Sequence, residues 1–170
     1  DYYADREKVF VFANTGREHP KTLEFVNECD RRWELGVVWV EAAVQSESGK
    51  GTRHKLVDFH SASRDGLPFE TVIAKYGVPS KAFPSCSREL KIAPIHSYVK
   101  SLGWTKYETA IGIRADEAHR VNTNEPSYVY PLVEYGITKR IVNDWWEAQD
   151  FNLDIYEYQG NCDFCWKKSD

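Results

Sequence analysis

Methionine is absent from the 170 residues, and the chain opens on Asp1. Translation begins on Met, so further residues are expected upstream of Asp1. No apolar run approaches the roughly 20 residues that a membrane-spanning helix requires. No secretory signal stands at the front. Together these absences point away from a membrane protein and toward the cytoplasm. A surplus of positive charge is also missing. The chain has 22 Lys and Arg against 26 Asp and Glu, a net charge of −4 and a pI near 5.8. Wholesale nucleic-acid binding needs a broad basic face, so it is disfavoured, whereas a local basic pocket is not. Cysteine is sparse: Cys29, Cys86, Cys162 and Cys165. A compact chain of this size does not need disulfides, which suits a reduced, intracellular protein. Internal repeats and low-complexity segments are lacking too.

What is present is enough apolar material for a core: 42% hydrophobic residues, 14% of the chain aromatic. Residues 8–13 form a nearly continuous apolar run, which predicts a buried strand of a parallel sheet. It ends at Asn14-Thr15-Gly16, a turn signature. Pro20 suits the first turn of a helix that Leu23 and Val26 carry at helical spacing to about Trp33, with Gly36 as its stop. Val37-Val38-Trp39-Val40 predicts the next buried strand. Strand, helix and strand in this span form a βαβ unit with a right-handed crossover. Residues 45–55 read as a polar surface loop, with a short strand at 56–59. Helices are expected over 68–76 and from Ser87 toward Leu102, the second kinked or restarted at Pro94. Glu108–Ile113 predicts a third strong strand, and Thr138 caps a last helix through Trp146. The division expected is a domain over 1–150 with a tail over 151–170 packed on it.

Two polar loops, 14–19 and 114–120, therefore follow strands. In open parallel sheets ligands sit outside the carboxyl ends of the strands, so both loops are expected at one rim. In the first, Gly16 lets backbone N–H groups approach a ligand, and Asn14, Thr15 and Arg17 flank it. The plain alternative is an ordinary strand-to-helix turn. In the second, Gly112-Ile113-Arg114-Ala115-Asp116-Glu117 with Arg120 offers two guanidinium groups for phosphate or sulfate. Asp116 and Glu117 would orient them or hold Mg²⁺. The plain alternative is a surface salt-bridge cluster. A third stretch is Ser85-Cys86-Ser87-Arg88-Glu89-Leu90-Lys91. Cys86 at a helix start is an activated thiolate, a metal ligand or a core residue, and Arg88 and Lys91 share a face. Cys162-Asp163-Phe164-Cys165 is half a zinc or iron–sulfur site, or a redox pair. Cys86 is a third candidate ligand and His96 a weak fourth, while Cys29 fits the core. Asp30-Arg31-Arg32 reads as a solvated helix end, and Trp145-Trp146 as core or a lid.

Residues 12–20 with Leu23-Glu24-Phe25, then Cys86–Lys91 with Pro94, then Gly112–Glu117 with Arg120, resemble three segments of the PAPS reductases and their phage-encoded relatives, in family order. The resemblance implies a three-layer α/β/α fold with a mainly parallel sheet, of the adenine nucleotide alpha-hydrolase-like kind. It implies an adenosine nucleotide, PAPS or ATP, at Thr15 and Gly16, its anionic groups held by Arg88, Lys91, Arg114 and Arg120. Cys86, Arg114 and Glu117 would then be catalytic, and Cys86, Cys162 and Cys165 would bind a [4Fe–4S] cluster or zinc. The implied activity is thiol-dependent reduction of a sulfonucleotide to sulfite, with a thiol protein as reductant. The alternatives are an ATP pyrophosphatase that adenylylates its substrate, a non-catalytic nucleotide binder and a metal-stabilised structural module. A homodimer, in a phage host's cytoplasm, is compatible with all of these. Two departures stand out: the family's Ser-Gly-Gly phosphate loop does not occur in this sequence, nor does its Glu-Cys-Gly motif.

Overall fold

The computed structural model describes residues 4–45, 47, 49–80, 82–156, 159, 160 and 163. The chain divides into two compact units, Asp1–Gly103 with Leu153–Asp170, and Trp104–Asn152. Both mix helices with short sheets, so the expected α/β class holds.

In the first unit, β1 (Val11–Asn14) leads through α1 (Pro20–Trp33) into β2 (Val38–Val44), and the two strands pair in parallel as the βαβ pattern predicts. The chain leaves α1 through Glu34, a left-handed residue at φ 50°, ahead of the expected stop at Gly36. Then the prediction fails. The expected loop over 45–55 is shorter, because β3 (Thr52–Val57) pairs antiparallel with β2 as a hairpin. The sheet order is β1-β2-β3, so it is mixed rather than mainly parallel. Thr52-Arg53-His54-Lys55 hides its strand character because β3 is an edge strand whose charged side chains point to water.

Alternation along β2 sends apolar side chains to both faces. On one face Trp39, aligned across the strands with Phe12 and Val57, packs with Leu23 and Val26 of α1 and with Ala62. The Phe12 and Trp39 rings meet edge to face with centroids 4.7 Å apart. On the other face Ala42 and Val44 meet Phe69, Val72 and Ile73 of α2 (Leu67–Tyr76), together with Leu90. Full burial of a side chain such as Leu23, Val72 or Leu90 contributes about 1.5–3 kcal/mol, and these residues hold helices against both faces.

Pro94 does not restart the helix as expected. Instead α3 (Ser85–Ser87), a π-helical turn over Arg88–Ile92 and α4 (Ala93–Ser101) run on as one rod. Proline has no N–H for the carbonyl four residues back and its ring clashes there. Widening the preceding turn, so that Ala93 N–H bonds Arg88 O, removes the conflict.

In the second unit the expected strong strand over 108–113 shrinks to β4 (Thr109–Ala110), which pairs in parallel with β5 (Tyr128–Val129). A 3₁₀ turn over Ala115–Arg120 follows β4, and α5 (Pro131–Glu134) and α6 (Lys139–Glu147) follow β5. Because β1 and β4 belong to different sheets, the loops over 14–19 and 114–120 do not share the rim of one sheet. Among the described residues no helix is long and apolar enough to cross a membrane.

Candidate functional site

The most completely built polar site lies where β1 ends. Asn14, Glu41 and Lys55 stand opposite one another across the three strands. Asn14 and Glu41 are buried. Asn14 Nδ2 donates to Glu41 Oε1 at 2.7 Å and to the Ser63 carbonyl at 2.9 Å. Ser63 N–H donates to the same Glu41 oxygen at 2.6 Å, and Lys55 Nζ lies 3.7 Å from the other. The carboxylate thus ties the β1 turn to the loop over 63–66.

The turn is internally saturated. Thr15 N–H and Oγ1 both donate to the Glu18 carboxylate, at 2.9 and 2.8 Å. Gly16 N–H donates to Asn14 Oδ1 and Arg17 N–H to Thr15 Oγ1. At the start of α1, Lys21 N–H donates to His19 Nδ1 and Thr22 N–H to His19 O. The N–H groups of Thr15, Gly16, Arg17, Lys21 and Thr22 therefore already have acceptors. Gly16 is buried at φ 77°, and a Cβ there would stand 2.9 Å from Ser63 Oγ and 3.1 Å from Gly66 Cα, so glycine alone fits.

Side chains complete the site. Arg17 lies across Gly66, where a Cβ would come within 2.1 Å of its Nε, and its guanidinium pairs with Glu70 at 2.9 Å. Asp65 accepts from Ser63 Oγ and from Leu67 N–H. The Ser63 hydroxyl foremost, then the Leu67 amide, holds its carboxyl below the usual range, and the Arg17 charge adds to this. Beside this turn, Lys21 Nζ donates to the carbonyl and the carboxylate of Asp154. Asp163 N–H reaches Arg17 O at 3.1 Å. The remainder of the Cys162–Cys165 motif lies outside the described residues, so of the expected metal set Cys86, Cys162 and Cys165 the structure describes Cys86. Among the described residues no group of three or more His, Cys, Asp and Glu side chains is arranged to hold a metal ion.

The other expected site residues are not part of this hydrogen-bond network. Cys86 is a half-buried thiol packed against the Ala42, Phe69, Val72 and Leu90 cluster. Arg88 Nε donates to Glu89 at 2.6 Å and its guanidinium lies over the Phe83 ring, while Lys91 is exposed. Glu89 is buried; burial raises its pKa, but the Thr52 hydroxyl and Arg88 outweigh that and leave it lowered. In the second unit Arg114 pairs with Asp116 and Glu117, and Arg120 with Glu117 at 2.5 Å. Asp116 also accepts from Lys139 N–H at 2.9 Å, so it caps α6. Gly112 is exposed between β4 and Arg114. Trp145 is exposed and meets Trp146 edge to face. The sequence did not single out Glu41, Ser63, Asp65, Gly66 or Glu70. One signal was available: Glu41 is a lone charge inside the apolar run of β2.

Comparison with known proteins adds one relative. The chain is 33% identical over 170 residues to the uncharacterized nin region protein ORF290 of Escherichia phage lambda, across 98% of this chain and 58% of the relative. The chain thus spans somewhat more than half the length of the curated relative it matches. No family model and no solved structure matches.

Proposed function

We propose that the first unit binds an adenine nucleotide at the end of β1, as the resemblance to PAPS reductases implies. One observation carries this reading. Two turns, Asn14–Arg17 and Ser63–Gly66, are locked together at the carboxyl end of a parallel strand, with Arg17 held beside them. That is the position at which open α/β sheets receive their ligands. With the backbone donors of the turn already bonded, recognition falls to side chains. Arg17 would exchange Glu70 for an anionic oxygen of the ligand, a bidentate contact suited to phosphate or sulfate.

In the sulfonucleotide reaction a thiolate attacks sulfur, the sulfur–oxygen bond breaks and the nucleotide leaves; Cys86 is the candidate thiol here, since the Glu-Cys-Gly motif that carries it in the family does not occur in this sequence. A thiol of the reductant then attacks the sulfocysteine, releasing sulfite and leaving a disulfide. The core packing of Cys86 and the pairing of Arg114 and Arg120 favour a second reading, nucleotide binding without catalysis. An ATP pyrophosphatase using Mg²⁺ is the third.

Calorimetric titration of the protein with PAPS and with ATP tests the shared step. Saturable one-to-one binding is expected, weakened about tenfold, or 1.4 kcal/mol, in Arg17→Ala. Heats indistinguishable from dilution for both nucleotides would overturn the proposal. Sulfite release from PAPS, or pyrophosphate release from ATP, then separates the reactions.

A further inference from the structure

Lys21 stands in the first turn of α1, directly after the proposed nucleotide turn, and its side chain is 44% exposed. Its ammonium is occupied twice by one residue, Asp154, through a carbonyl and a carboxylate. Asp154 holds a left-handed backbone at φ 50°, rare for a residue other than glycine, in a stretch without helix or strand. The Asp154 side chain is 81% exposed. The Lys21 ammonium lowers its pKa, so it is charged at neutral pH. An exposed ion pair of this kind is weak and readily exchanged.

We infer that Asp154 is a latch: an internal carboxylate that occupies Lys21 in the resting protein and yields it to an anionic oxygen of the bound nucleotide. Lys21 thereby becomes a binding residue that the unoccupied site conceals. The inference rests on the nucleotide reading, since the same turn must receive the ligand. A ligand phosphate carries more charge than the carboxylate it replaces, so the exchange runs forward as the ligand binds. Release of Asp154 frees the chain around it. Binding is therefore coupled to loosening of residues 153–156.

The test uses the full chain, with ATP, PAPS and inorganic pyrophosphate as probes. Asn tolerates the left-handed backbone, so Asp154→Asn removes the charge without disturbing the main chain. It is expected to tighten nucleotide binding about two- to five-fold, the range for loss of one competing exposed ion pair. Lys21→Met is expected to weaken binding, and adding Asp154→Asn to it is expected to change nothing further. In the wild type, saturating nucleotide is expected to speed amide hydrogen exchange at residues 153–156. If the wild type binds and Asp154→Asn either fails to tighten binding or tightens it equally in the Lys21→Met background, the latch is wrong and the nucleotide reading stands. If neither protein binds any probe, both fall. Binding by Asp154→Asn alone supports the latch in its strongest form.

Discussion

Glu41 is a carboxylate on the central strand of a small sheet, where an unpaired charge would be costly to bury. Asn14 Nδ2, Ser63 N–H and Lys55 satisfy it, so removing one of them exposes the energy of the rest. Asn14→Asp replaces a donor by a second carboxylate at hydrogen-bond distance from the first. The expected loss is about 3 kcal/mol at neutral pH. The sign of its pH dependence follows from like-charge repulsion. The new carboxyl has its folded-state pKa raised, so the deficit is small while it is protonated and grows as pH climbs above the ordinary carboxylate value of about 4. Urea denaturation at several pH values checks this; a deficit independent of pH contradicts it. Gly66→Ala probes the neighbouring turn. Gly66 has φ 87°, and the added methyl would enter the space of the Arg17 side chain. A stability loss of about 1–2 kcal/mol is expected, together with weaker nucleotide binding as Arg17 is displaced. Part of this site was legible in the sequence. Asn14, Thr15, Gly16 and Arg17 stood out because a turn follows an apolar run. Ser63 and Gly66 did not, because their roles depend on partners distant in the chain.

Elements were most legible where one local signal determined them. Pro20 and the apolar stripe of Leu23 and Val26 fixed α1, and Gly77 marked the end of α2. Where non-local bonds decide, the sequence misleads. Thr138 sits at the N-cap of α6 as expected, yet its side chain makes no capping bond. Asp116, 23 residues earlier, accepts the Lys139 N–H instead. Asp116→Ala should therefore speed amide exchange in the first turn of α6 and leave the first unit untouched. Arg114 above all holds the Asp116 carboxyl below the usual range. A lowered pKa means that the stabilisation is complete above the ordinary carboxylate value and is lost as pH falls through the lowered one. Protection of this turn should decline in acid accordingly, and the variant should show no such decline. The hairpin joining β2 to β3 gives a second case. Lys75 Nζ on α2 donates to the carbonyls of Gln45, Glu47 and Lys50, at 2.5, 3.3 and 2.6 Å. An ammonium enclosed by main-chain oxygens pins the loop that a polar sequence would otherwise leave to solvent. Lys75→Met is expected to cost about 1–2 kcal/mol and to open residues 45–51 to limited proteolysis. An unchanged cleavage pattern would show that the loop is held by other means.

For the whole molecule, the distribution of buried apolar side chains matters more than the count of elements. Among the described residues Leu23, Trp39, Val40, Ala42, Ala62, Phe69, Val72, Leu90 and Val99 are buried in the first unit, whereas Tyr130 is the buried hydrophobic residue of the second. The second unit's sheet pairs two residues with two, and Arg114 and Arg120 are paired with Asp116 and Glu117. The run over 108–113 has the character expected of a core strand. Composition alone does not reveal that, among the described residues, such a run pairs with one short strand. A unit with so little enclosed apolar surface should open locally at a free energy below that of global unfolding. Native-state hydrogen exchange in rising, sub-denaturing urea tests this. Amides of β5 and α6 are expected to exchange through an opening that becomes accessible at lower urea than that of β2 and α2. Convergence of all four elements on one exchange isotherm from the lowest urea upward would show instead that the units unfold together. The first unit would then carry no independent stability on which to hold its β1 turn rigid.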